Sequence, residues 1–460
     1  MRSIRFGRRK IVRTTRLTPG SLRAVIILLA ITSFSAGRAT AGVIPGQYIV
    51  VLKDGADSTA VAAEHARMLG APILFRYQHA LNGYATQLAP AALAAIQADN
   101  RVLFVSEDRE MFVNTICPGQ APSVQCIPAD IDRIDGEHSS TRSGNGRGSV
   151  NINVAVLDTG IDVDHPDLTV AGGVNCLAHK TFDDPNGHGT NVAGIIGARD
   201  NNIGVVGVAP GARLWAVRVC NKNGNCNLSS VLCGVDWVTS TRIDSDPSND
   251  ISVANMSLGG NGQDDGNCGK TNKDAAHLAI CHSVAAGVVY VVAAGNDAVD
   301  FQDSIPAAYD EVLTVTAMAD FDGKPGGLTN VATCNSGQGQ IDDTFTGFSN
   351  FATVPSDQAH TIAAPGACIF STSCCLTKAL TAGYEFWTGT SQASPHVAGV
   401  VALCIASGAC GGMTPAQVIQ KIVSDAADYS NDHPKYSFVG DPLHPVPDKY
   451  YGYLIRAGAY

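Results

Sequence analysis

The chain predicts an α/β protein: a doubly wound, mostly parallel sheet preceded by a small α+β unit of ferredoxin-like order. Three observations carry that expectation. Beyond about residue 148, short unbroken apolar runs alternate with segments of helical periodicity, the pattern of parallel strands covered on both faces by crossover helices. Residues 47 to 111 follow a compact β-α-β-β-α-β order of their own. Between the two, around Pro118, Pro122 and Pro128, apolar periodicity lapses and ends in Ser143-Gly144-Asn145-Gly146-Arg147-Gly148, the composition of a boundary.

Residues 1–41 hold nine Arg and Lys and no acid, then the apolar run Ala24-Val25-Ile26-Ile27-Leu28-Leu29-Ala30-Ile31 and the small-residue end Ala39-Thr40-Ala41. This reads as a secretory signal. The run is short for a membrane span, so no stable membrane association is expected, although the long basic head leaves an uncleaved anchor open. Without that segment, 22 basic side chains stand against 41 acidic ones, a formal charge of −19 that excludes nucleic acid and anionic membrane as partners. All 14 cysteines lie from Cys117 onward, and an even count in an exported chain reads as disulfides; Cys220/Cys226 and Cys404/Cys410 are close enough for local loops. Zinc is disfavoured, since no Cys-x-x-Cys is followed by a second ligand pair and no His-Glu-x-x-His occurs.

Residues 42–113 form the α+β unit: a strand over 48–52, a helix over 61–69, strands on either side of Asn82-Gly83, a helix over 90–98 and a strand over 102–105. Cysteine-free ahead of a cysteine-rich body, it looks like a folding unit that is later discarded. Residues 114–147 make a processing region and the start of the mature chain. In 148–460, strands are expected at 153–157, 214–219, 251–256, 288–293 and 312–316, and helices at 192–198, 230–238, 274–286, 395–406 and 415–426. The Gly/Asn/Asp-rich stretch 320–346 reads as a surface excursion.

Asp158 closes the first buried strand, where open α/β sheets place functional groups, and Thr159-Gly160 follow. Alone it is a turn aspartate; an aspartic protease would need a second Asp-Thr-Gly or Asp-Ser-Gly, which the chain lacks. His188 stands between Gly187 and Gly189, ahead of an apolar helix, its imidazole unobstructed on both sides. Ser391 lies in Gly389-Thr390-Ser391-Gln392-Ala393-Ser394-Pro395-His396, at the mouth of a helix whose first turn suits Pro395. There, backbone N–H groups and the helix dipole face a developing oxyanion. Each motif is bland by itself, but together they supply a nucleophile, a general base and an acid to orient it.

In this order, with Asp-Thr-Gly, His-Gly-Thr and Gly-Thr-Ser-x-Ala-Ser-Pro, the chain resembles the subtilisin-like serine proteases over nearly everything after about Ile127, including Tyr450-Tyr451-Gly452-Tyr453-Leu454-Ile455. The resemblance implies a secreted, monomeric endopeptidase acting on proteins and peptides without a catalytic cofactor. It makes Asp158, His188 and Ser391 the catalytic triad, and Asn296, in Val292-Ala293-Ala294-Gly295-Asn296, the oxyanion donor. It assigns Ser257, Leu258, Gly259 and Gly260 to the strand that pairs with substrate and walls its pocket, with Gly295 on the opposite wall. It makes residues 42–113 an inhibitor I9-type propeptide, an intramolecular inhibitor cut away by self-cleavage between about Met111 and Ala121.

His165-Pro166-Asp167-Leu168 and Asp200-Asn201-Asn202-Ile203-Gly204-Val205 resemble segments that hold a structural calcium in relatives, with Asp167 and Asn201 as ligands. The Asp320-Phe321-Asp322-Gly323 loop is a second candidate for an ion. Two departures from the family pattern stand out: Gln392 where Met is common, and Asn191 where His is usual. Without a thioether beside the nucleophile, peroxide tolerance is expected. No acidic cluster beside the glycine-walled pocket demands a basic residue, so apolar and aromatic side chains are the default preference. A peptide-binding pseudoprotease is the competing reading, opposed by the intact Asp158, His188, Ser391 and Asn296.

Overall fold

Apolar side chains alternating over Val43–Leu52 make β1 the centre of the amino-terminal unit in the computed structural model, which describes residues 43–113, 125–177, 181–329, 332–374 and 383–460. The expected signal segment, and the expected cleavage window beyond Val113, lie outside the described residues. α1 (Ser58–Leu69) starts where the Asp57 carboxylate accepts the N–H groups of Thr59 and Ala60, and stops at Gly70 in the left-handed region. β2 (Ile73–Tyr77), β3 (Gly83–Gln87), α2 (Pro90–Gln97) and β4 (Val102–Val113) complete an antiparallel sheet of order β4-β1-β3-β2. The two-residue period of β1 divides its load: Val50 and Leu52 pack under the helices, whereas Ile49 and Val51 face the second body. β4 runs eight residues past the 102–105 expected for it, and its far end belongs to another surface.

In the larger body α3 (Ala129–Arg133) is followed by β5 (Asn153–Asp158), β6 (Val170–Asn175), α4 (His188–Gly197), β7 (Arg213–Arg218), β8 (Asn225–Asn227), α5 (Leu228–Thr241) and β9 (Ile251–Met256). Then come β10 (Leu258–Asn261), α6 (Ala275–Ala285), β11 (Val289–Ala293), β12 (Ser304–Ile305), β13 (Leu313–Ala319), β14 (Thr344–Phe345), α7 (Pro355–Ala359) and β15 (Thr361–Pro365). A hairpin of β16 (Ile369–Thr372) and β17 (Tyr384–Trp387) precedes α8 (Thr390–Ala406) and α9 (Pro415–Asp432). The main sheet runs β6-β7-β5-β9-β11-β13 in parallel, with β15 also parallel on β13 and β14 antiparallel. The chain builds outward from β5 in one direction and from β9 in the other. The switch point therefore lies between them, and their carboxyl ends open the crevice where such sheets carry sites.

All five expected strands form. β6 was not legible, because Val170-Ala171-Gly172-Gly173-Val174-Asn175 has no apolar run. Its glycines answer to packing: a Cβ on Gly172 would meet the Trp215 ring at 2.7 Å and one on Gly173 the Ala216 carbonyl at 2.1 Å.

α8 corrects the expected helix start. It begins at Thr390, so Pro395 lies inside the helix, not in its first turn. Having no N–H, Pro395 cannot bond the Ser391 carbonyl one turn back. That carbonyl instead accepts the Ser257 hydroxyl at 2.8 Å. α8 is buried on every side from Thr390 to Cys404, as befits a helix in the middle of the core.

Five disulfides are formed among the described residues: Cys176–Cys233, Cys220–Cys226, Cys268–Cys281, Cys334–Cys368 and Cys404–Cys410. Two are the local loops read from spacing.

Candidate active site

β5 delivers Asp158 to the crevice fully buried, and α4 brings His188 in its first turn, also fully buried. His188 Nδ1 lies 2.8 and 2.9 Å from the two Asp158 oxygens. That contact fixes Nδ1 as the protonated nitrogen and leaves Nε2 the basic one. Nε2 is buried and has no hydrogen-bond partner. The glycines around His188 answer to close contacts: a Cβ on Gly189 would meet the Gly160 carbonyl at 2.1 Å and the Asp158 side chain at 3.1 Å. Gly187 has φ +107° and passes below Trp387, whose ring centre is 5.4 Å from that of His188. Asp184 holds the turn, accepting the N–H groups of Asn186, Gly187 and Thr190 and the Thr190 hydroxyl.

Ser391 is the second residue of α8 and fully buried. Its Oγ donates to the Ser257 carbonyl at 3.1 Å, so Ser257 and Ser391 are tied in both directions. The serine hydroxyl is thus turned to a backbone carbonyl, while the imidazole Nε2 has no hydrogen-bond partner. Catalytic hydrogen bonds commonly tighten only with substrate bound.

Asn296 follows β11. Its Oδ1 accepts both the N–H and the hydroxyl of Thr390, at 2.8 and 2.9 Å, which orients the carboxamide and frees its NH₂ for an incoming oxygen. Thr390 Oγ1 also accepts from Gly295 N–H at 3.1 Å. Behind this loop buried Asn350 donates to the Ala294 carbonyl and accepts from the N–H groups of Asp297 and Val299. Gly295 has φ +105°, and a Cβ there would meet Asn350 Nδ2 at 2.4 Å. The sequence assigned no role to Thr390, Asn350 or Asp184: Thr390 and Asn350 act on backbone groups distant in the chain, and Asp184 on its own turn.

β10 holds Leu258, Gly259 and Gly260, which the resemblance assigned to the substrate edge. Gly260 and Asn261 pair with β12, whereas Leu258 and Gly259 pair antiparallel with Val113 and Phe112 of β4. β8 flanks β4 on its other side, with Asn225 opposite Phe112 and Asn227 opposite Glu110. The propeptide strand therefore fills the cleft between two strands of the larger body and points toward Ser257. The Ser257 hydroxyl is turned to the Ser391 carbonyl. The amino-terminal unit is held elsewhere by Asp236 of α5, which accepts the N–H groups of Gln78, His79 and Ala80. Asp108 accepts the Ser229 N–H at the start of the same helix at 2.8 Å. Burial raises both carboxyls above the usual range.

The two departures from the family pattern touch each other: Gln392 Nε2 lies 3.3 Å from Asn191 Oδ1, both side chains fully buried, with Gln392 Oε1 left without a partner.

Asp167 and Asn201 meet, with Gln125, which the sequence reading did not single out, as a third. The chemistry of this set suits calcium, but its arrangement does not fit an ion. Asp167 accepts from Asn201 Nδ2, from the Val205 N–H and from the Tyr384 hydroxyl, while Asn201 Oδ1 is turned to the Ile203 N–H. The Gln125 carbonyl oxygen is likewise taken, by the Asn201 N–H. Asp320, Asp322 and Asp342 converge as well, but Arg133 supplies the cation there, fully buried and 3.1 Å from Asp320 Oδ2.

Fold and cleft together define a doubly wound α/β hydrolase of the serine type carrying its own inhibitory unit. Residues 149–440 match the model of the subtilase family, and residues 47–114 that of the peptidase inhibitor I9. Subtilisin NAT of Bacillus subtilis subsp. natto and subtilisin E of Bacillus subtilis (strain 168) are each 31% identical over 417 residues, 88% of this chain and 92% of theirs. The minor extracellular protease Epr of Bacillus subtilis (strain 168) is 36% identical over 256 residues, 55% of this chain and 32% of its own length. The chain belongs to the subtilase family. It is a subtilisin-like serine endopeptidase with an I9 propeptide. No helix among the described residues is long and apolar enough to cross a membrane.

Proposed function

We propose that the chain is a secreted zymogen that cuts its own propeptide and then other proteins, through Asp158, His188 and Ser391. A substrate adds as an antiparallel strand between β8 and β10, its backbone N–H and C=O groups meeting those of Gly259. His188 Nε2 takes the Ser391 proton as Oγ attacks the scissile carbonyl, and Asp158 stabilises the imidazolium. The tetrahedral oxyanion is received by the Asn296 NH₂ and the Ser391 N–H. His188 then protonates the leaving amine, and water, deprotonated by the same nitrogen, releases the acyl group.

The observation that carries this reading is the course of β4, already paired in the cleft where a substrate strand belongs. The last described residue of β4, Val113, pairs with Leu258, the neighbour of Ser257, whose carbonyl holds the nucleophile. The bond after Asn114 is therefore the one proposed to be cut. Amino-terminal sequencing of the mature protein is expected to start at Thr115. An active mature form that begins outside the interval 112–121 removes the self-processing reading. Labelling by a fluorophosphonate, lost in Ser391→Ala, tests the nucleophile.

The same reading includes export by the segment 1–41. A structural calcium at Asp167 requires Asn201 to turn its carboxamide. If metal-free protein gains no thermal stability from added calcium, that ion is not part of the enzyme.

A further inference from the structure

β4 changes partners along its length. Arg109 still pairs with Val43 of β1, whereas from Glu110 onward the partners are β8 and β10. Arg109 therefore stands at the mouth of the cleft, and its side chain reaches the end of β10, where Nη1 donates to the Asn261 carbonyl at 3.0 Å. It enters a groove of about 440 Å³ lined otherwise by Asn261, Gly262, Gln263, Asn272, Asp274 and Asp303. All six belong to the larger body, so the groove stays with the enzyme when the propeptide is cut away. It begins where the substrate edge of β10 ends.

Among the described residues lining the groove, two are carboxylates and none besides Arg109 is a cation. Asp274 is buried at the N-cap of α6, where it accepts the Ala276 N–H and the Tyr309 hydroxyl. Asp303 is exposed, with one oxygen taken by the Gln263 carboxamide. Burial drives the Tyr309 hydroxyl well above its ordinary range, with Asp274 adding to the rise, and the Arg109 charge pulls the other way. Lys270 and Lys273 share the loop but do not line the groove. The wall is held in shape: Asp265 accepts the N–H groups of Asn267, Gly269, Thr271 and Asn272, Asn272 donates to the Gln263 carbonyl, and the Cys268–Cys281 disulfide fastens the loop to α6.

We propose that this groove is an outlying substrate subsite that selects a basic side chain, arginine above lysine, six residues before the scissile bond. The inference rests on the proposed cut after Asn114, which makes Arg109 that residue. Asp303 supplies the selecting charge and Asn261 the carbonyl acceptor. A guanidinium can meet both at once through its fork of donors, which a single ammonium does less well. The propeptide thus occupies the groove with the kind of side chain that the mature enzyme prefers in its substrates.

The test uses the processed enzyme and quenched-fluorescent peptides identical except for Arg, Ala or Glu at the sixth residue before the cut, the cut being located by mass spectrometry. A shorter peptide that ends before this position is the reference. Exposed charge pairs are weak, so kcat/KM is expected to be about threefold higher for Arg than for Ala and about tenfold higher than for Glu, with the difference carried by KM. The advantage should vanish near about 1 M salt. Asp303→Asn keeps the acceptor for Gln263 and should reduce the Arg-over-Glu ratio at least about threefold, whereas Asp303→Glu should restore it. Equal rates for Arg, Ala and Glu while the short peptide is cleaved overturn the subsite and leave the protease reading standing. Failure to cleave any of the peptides, the short one included, takes down both. A preference for Arg that neither salt nor Asp303→Asn moves overturns selection by charge.

Discussion

At the carboxyl ends of β5 and β11 and the amino ends of α4 and α8, the proposed chemistry rests on side chains: the Asp158 carboxylate, the Asn296 carboxamide, the His188 imidazole and the Ser391 hydroxyl. Along β8 and β10 the pairing is backbone, and β4 of the same chain already makes it. A side-chain site tolerates no change of residue, whereas a backbone edge accepts any extended peptide that fits. In this structure the backbone edge is occupied by the chain's own amino-terminal unit. Away from the edge, Asp236 and Asp108 make hydrogen bonds that join the amino-terminal unit to α5.

The contrast breaks most sharply at Ser391. Ser391→Ala is expected to lower activity by about 10⁶-fold, a magnitude established on a subtilisin, and to leave secreted precursor uncut by mass spectrometry. Processed material made in a protease-free host means that another nucleophile acts. Next comes Asn296→Ala, which should lower kcat by about 10²–10³ with KM little changed, again a magnitude known from a subtilisin. A loss carried by KM instead would move Asn296 to the substrate edge.

Asp236→Ala tests the backbone side. It removes the acceptor of three propeptide N–H groups, so the lag between processing and full activity should shorten by about tenfold to a hundredfold. An unchanged lag locates the hold in the cleft alone. The smallest effect is expected from Gln392→Met. Activity should stay within about tenfold, because the volume is conserved, while inactivation by dilute peroxide becomes faster. A double-mutant cycle with Asn191→Ala should show coupling of about 0.5–1.5 kcal/mol through their shared hydrogen bond.

The same division explains what was legible. Asp158, His188 and Ser391 could be named from the chain because three turns that are bland singly coincide, and Asn296 through the family resemblance that they carry. The helices and buried strands were legible from periodicity, and the local disulfides from spacing. The long reach of β4 was not, since an edge that pairs through backbone demands no apolar pattern, and its last residues look like a linker. Asn350 and Thr390 were invisible as supports for a related reason: they serve backbone groups 56 and 95 residues away, whereas Asp184 serves its own turn, where an aspartate is commonplace. Gln392 and Asn191 could be singled out as departures one at a time, but their contact is a fact of the fold.

Pro395 has a consequence for how the enzyme measures its substrate. By withholding one N–H it frees the Ser391 carbonyl for Ser257, and the residue that begins the substrate edge becomes bolted to the nucleophile. A peptide lying along β10 is thus read on a ruler whose zero mark is fixed to the cutting edge, so slippage of the strand by one residue shifts the cut by one residue and never merely misaligns it.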